Sequence, residues 1–169
     1  MQRSPLVTAC AVVAVVIAAL SLGLSFAHVL EAPPRLNIWP PELWRETTVF
    51  NGQFKFFAVL GGPLDVAAVL APAALAFASR GTRQTSLLFA AAALFYAVAL
   101  ALWFGLVAPA NAIMATWTPG PVPADFHAVQ LRWETGHMAM AAAKLIGFVF
   151  AALALVAVGA RSARPGLAG

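Results

Sequence analysis

Four long apolar runs, at residues 5–30, 54–79, 86–108 and 136–160, leave this 169-residue chain little choice of fold. Each exceeds the roughly 20 residues that a helix needs to cross the hydrocarbon core of a bilayer. Backbone amides in lipid must bond within their own segment. The Ala-, Leu-, Val- and Phe-rich runs therefore predict helices, not the alternating strands of a barrel. The expected fold class is all-α: a four-transmembrane-helix bundle forming one domain over 1–169, with no room for a separate soluble unit. Composition agrees, since 62% of the residues are hydrophobic and 9% are charged, whereas soluble domains run at about 45–50% and about 25%. Disorder is excluded by the same hydrophobicity, and a disulfide scaffold by the single cysteine, Cys10. Ten basic residues form no dense patch interleaved with aromatics, so nucleic acid is not an expected partner.

Short cytoplasmic loops collect Lys and Arg. Arg3 near the N-terminus, Arg80 and Arg83 between the second and third runs, and Arg161 and Arg164 in the tail make one side purely basic. Both termini are thus expected in the cytoplasm of a bacterial-type inner membrane. The other side mixes Glu31, Arg35, Glu42, Arg45, Glu46, Lys55, Asp125, Arg132 and Glu134, and most of the tryptophans lie there. The first run resembles a signal peptide ending at Ser25-Phe26-Ala27, but it is too long for a typical signal core and carries a polar stripe, so it is read as a retained span. Val7-Thr8-Ala9-Cys10 lacks the preceding apolar region of a lipoprotein box.

The outer loops are expected at about 31–53 and 109–132. Pro33-Pro34 and Pro40-Pro41 are expected to break helix in the first, and the Pro119–Pro123 stretch in the second. The fourth helix is expected to begin near Ala124, outside the membrane, and run into it. Two structured loops on one face are a common way to build a site.

Ionisable groups inside spans are costly and usually face a protein interior or a wet cavity. Asp65 and Lys144 fall at similar depth in two parallel spans, which predicts a buried ion pair, with Tyr96 near the same layer. In the fourth helix His127 and Glu134, and likewise Gln130, His137 and Lys144, recur every seven residues and form one polar seam. Ser21, Ser25 and His28 form a stripe on the first span; Asn51, Ala58 and Asp65 form one on the second. Convergence of these stripes predicts a pocket in the outer half of the bundle, and a His28, Glu134, His137 cluster there suits proton transfer because histidine titrates near neutrality. No cofactor is expected. The alternative is haem or a transition metal held by His28, Glu31, Glu134 and His137, which supply two His/Glu pairs at i, i+3. No CxxC, CxxCH, GxGxxG, Walker or GxSxG element is present.

Pro109-Ala110-Asn111 after an aromatic third span, then Trp117, Arg132-Trp133 and His137, together with Gly23-Leu24-Ser25-Phe26-Ala27-His28 and Phe54-Lys55-Phe56-Phe57, resemble the small four-span membrane proteins related to anthrone oxygenase. The resemblance covers most of the chain through short motifs. It implies oxidation of anthrones to anthraquinones by dioxygen. On that expectation His137 is the base, assisted by Glu134; Arg132 and Asn111 stabilise the oxyanion; and Trp103, Trp117 and Trp133 line the cavity with His28. The expected partners are the lipid bilayer and a lipophilic small molecule. Two other classes compete: a non-enzymatic accessory or assembly subunit of a larger membrane complex, and a metal- or haem-binding membrane protein.

Overall fold

A computed structural model describes residues 5–52 and 55–162. Arg3, Phe54 and Arg164, and the side chains of Lys55 and Arg161, lie outside the described residues. Those described form helices joined by turns and by a loop over 115–125, with no strand: α1 (Pro5–Asn37), α2 (Pro41–Arg45) continuing as a π-helical turn (Glu46–Phe50), α3 (Lys55–Ala78), α4 (Arg83–Leu102), a second π-helical turn (Trp103–Val107), α5 (Ala108–Met114) and α6 (Phe126–Ser162). Four of these stretches are long and apolar enough to cross a membrane: Pro5–Asn37, Phe56–Ala78, Arg83–Met114 and Phe126–Ala160. Side chains such as Leu20, Leu70, Leu94 and Val156 point outward and exposed, as lipid-facing residues do. The chain thus has the architecture of a multi-pass membrane protein.

Around the bundle the long helices pack in the order α1, α3, α4, α6, with α6 closing against α1. Small residues set the approach. Ala11 and Ala14 of α1 are buried with Ala154 and Val158 of α6, Phe89 of α4 and Leu75 of α3, and Ala18 with Ala68 and Tyr96, which makes the core at the end carrying the termini largely apolar. Gly147 lets α6 lie on Tyr96. A Cβ there would stand 2.8 and 2.9 Å from ring carbons of Tyr96 and 3.2 Å from the Ala92 carbonyl. The ring cannot swing clear, because its hydroxyl donates to the Ala18 carbonyl at 2.7 Å. Gly147→Ala is therefore expected to cost about 1–3 kcal/mol by overpacking, read as a lowered thermal midpoint in detergent; an unchanged midpoint would refute the tight α4–α6 contact.

Two prolines expected to end helices do not. Pro33 and Pro34 remove amide donors from the last turns of α1, yet the helix continues to Asn37. One local bond and one tertiary bond hold the turn: within α1 Asn37 Nδ2 donates to the Pro33 carbonyl at 2.9 Å, and from α6 Gln130 Nε2 donates to the Arg35 carbonyl at 3.1 Å, while the Arg35 side chain is buried. Likewise the third span passes through its π-helical turn into α5 and ends at Met114 instead of near Ala108. In α-helical register Pro109 leaves the Gly105 carbonyl without its amide, and Arg132 Nη2 donates to that oxygen at 2.9 Å. At Pro40-Pro41 the break occurs as expected, with Pro41 opening α2, where a missing amide costs nothing.

Candidate functional site

Polar residues recur every seven positions on two antiparallel helices, and the fold joins them in register. Each step of seven up α1, from Ser21 to His28 to Arg35, is matched by seven down α6, from Lys144 to His137 to Gln130. At the lowest rung Lys144 Nζ lies 2.6 Å from Asp65 Oδ1, 2.7 Å from Ser25 Oγ and 3.5 Å from the Ser21 carbonyl. Ser21 Oγ donates to the same carboxylate oxygen at 2.6 Å. The ammonium's three donors and the buried carboxylate thus satisfy each other, as a charge pair away from water requires. Tyr96 is not part of this group: its hydroxyl is taken by Ala18, one turn below Ser21.

At the middle rung the imidazoles of His28 and His137 stack, with centroids 4.0 Å apart and planes 14° from parallel. Trp133 stands edge-on to both, at 5.3 Å from His28 and 4.4 Å from His137, and Phe57 of α3 lies 5.1 Å from His28. Trp133 is itself fixed, its indole donating to Asn111 Oδ1 at 2.9 Å.

The upper rung closes the bundle toward its loops. Arg35, 1% exposed, reaches Glu134 at 3.0 Å and Glu31 at 3.1 Å. Glu134, fully buried, also accepts the Trp44 indole N–H at 2.9 Å, which pins α2 over the end of the helices. Arg45, buried in turn, donates to the Pro121 carbonyl at 2.8 Å and to that of Gly120, tying α2 to the second loop. Gly120 has φ +139°, which a side chain rarely adopts.

Beneath this cap lies a cavity of about 430 Å³. His28, His137, Asn111, Asp65 and Lys144 contribute its polar edges; Trp103, Trp133, Phe57 and Met140 contribute aromatic and apolar wall. Its size is that of sites for drug-sized ligands. Three residues expected at the site stand elsewhere. Arg132 is exposed and occupied with Gly105. Trp117 packs on Phe126 at 5.8 Å, outside the cavity. Glu134 does not wall the cavity either, and its carboxylate serves Arg35 and Trp44. His127 and Asn51, on the polar stripes, are exposed.

The alternative ligand set does not assemble. Glu31 and Glu134 both turn to Arg35, and the imidazoles meet face to face, whereas the lone pair that binds a metal lies in the ring plane. Among the described residues no group of three or more His, Cys, Asp or Glu comes together to hold an ion.

Arg35 and Trp44 are the residues that the sequence reading missed. The signal was present: Arg35 continues the heptad Ser21, His28, and a buried Glu134 calls for a cation. Ending the first helix at the proline pair hid it. Comparison with family models, curated proteins and solved structures finds no match to this chain.

Proposed function

We propose that this chain is a membrane-embedded, cofactor-independent oxygenase acting on a flat, lipophilic cyclic ketone of the anthrone kind. The observation that carries the reading is the His28–His137 stack set in the wall of an aromatic-lined cavity. A neutral imidazole has one acceptor nitrogen, and His137 takes a proton from the ring methylene. The electron pair left behind delocalises onto the ketone oxygen as an enolate. The Asn111 amide, whose Oδ1 is already committed to Trp133, has its N–H donors left to serve that oxygen at the cavity. The enolate passes one electron to dioxygen, the carbon radical and superoxide combine as a peroxide anion, and the imidazolium returns its proton to give the hydroperoxide. Loss of water then leaves a carbonyl where the methylene stood, so ketone plus dioxygen give quinone plus water.

Glu134 and Arg132 take different parts here from those the resemblance suggests. Glu134 holds the cap through Arg35 and Trp44, and Arg132 serves the bend at Pro109. The experiment is dioxygen uptake with an anthrone in detergent. His137→Ala is expected to lower the rate by about 10²–10⁴, the usual contribution of a positioned base, while Arg132→Gln leaves it within severalfold. Equal rates in wild type and His137→Ala would remove the base and with it this reading.

A further inference from the structure

We infer that the molecule held in this cavity is a neutral aromatic lipid, a cyclic ketone or the quinone formed from it, with an aliphatic tail, whose ring lies against the stacked histidines while its tail leaves sideways past Gly61 and Gly62 into the bilayer. This rests on the ring site proposed above and names its substrate class. The first ground is the side on which the cavity opens. The upper part of α3 does not pack closely on the π-helical turn Trp103–Val107 that continues its neighbour α4, so the cavity reaches the flank of the bundle between the two. Val66 of α3 and Phe104 of the π-helical turn both border the cavity, and both are exposed, at 46% and 64%. An enclosed chamber would have buried them.

The second ground is the strip of α3 at this opening. A Cβ on Gly61 would meet only Leu24 Cδ1, at 3.9 Å, and one on Gly62 would meet nothing within 4 Å. The pair leaves a channel without side chains about 10 Å along α3 from its start, at 1.5 Å per residue, which is hydrocarbon depth.

Charge supplies the third ground. Lys144, the cation at the cavity, is matched by Asp65 at 2.6 Å, and Arg35 above it by Glu31 and Glu134. A fatty acid or phospholipid headgroup would have to break one of these buried pairs. A neutral ring needs only a hydrogen bond to its carbonyl, which the imidazoles and Asn111 offer, and aromatic surface, which Trp133 and Phe57 offer.

The test uses the full chain in lipid nanodiscs and reads quenching of tryptophan fluorescence by a decyl-tailed dimethoxy-para-benzoquinone and by its methyl analogue. The two are compared at equal mole fraction in the lipid, so that partitioning cancels. Wild type is expected to bind the tailed quinone about tenfold more tightly. Gly62→Phe, and independently Val66→Phe one turn further along α3, should erase that advantage and leave the methyl analogue unchanged. Equal binding of the two quinones, or tailed binding indifferent to both substitutions, would overturn the tail route while the ring site stands. Binding of neither quinone would remove the ring site as well. Displacement by oleate at the same mole fraction would overturn the neutral class.

Discussion

Lys144→Leu is expected to destabilise the bundle by about 3–5 kcal/mol, because it strands the Asp65 carboxylate in the interior with only the Ser21 hydroxyl to bond it. The same change in an Asp65→Leu background should cost much less. With both charges gone, the two serine hydroxyls are left to turn to carbonyls one turn back on their own helix, and the leucines fill part of the vacated space. The coupling energy from the four proteins, measured by reversible unfolding in mixed micelles, should therefore be large and favourable. Additive losses would mean that the 2.6 Å contact contributes nothing beyond two independent residues.

Arg35→Met comes next in size, at about 3 kcal/mol or more, since it leaves the fully buried Glu134 with the Trp44 indole alone. Its effect is also local. Arg35 holds the last turn of α1 beyond two prolines, and Glu134 pins α2, so the segment from Ile38 to Phe50 should become cleavable by protease before the helices unfold. A compensating Glu134→Leu should restore stability only in part, because the Trp44 N–H then loses its acceptor, a buried donor worth about 1–3 kcal/mol. Full restoration would show that the indole bond does not anchor the cap. The contrast with the Lys144 pair, where removing both charges leaves fewer groups stranded, separates a closed pair from a hub.

How much of this was legible beforehand differs by residue. Asp65 and Lys144 were placed together by depth alone, because 1.5 Å per residue along two straight apolar helices is a reliable ruler. His28 and His137 were placed on converging stripes, but nothing in their spacing told that the rings would stack. Glu134 was read as a partner of His137 because the two share one face of α6 at i, i+3. In the fold the neighbouring helix turns that carboxylate toward Arg35. Proline misled at Pro33-Pro34, and the third span was bounded near residue 108 although its helix runs on past Pro109 to Met114. A proline's penalty is local and can be read from sequence, whereas the bonds that offset it come from Gln130 and Arg132, 95 and 27 residues along the chain from the carbonyls they reach.

The sequence by itself determined the helical class, the four spans and the heptad placement of the polar residues. Those properties follow from hydrocarbon thickness and helical periodicity, and each is set within a single segment. Only the tertiary structure decided which groups meet: the rung-by-rung match of α1 to α6, the Arg35–Glu134–Trp44 cap, and the sideways opening at Gly61 and Gly62. Each depends on the register and tilt of separate helices, and small residues such as Gly136 and Gly147 set that tilt through backbone approaches of a few ångströms that no single segment encodes.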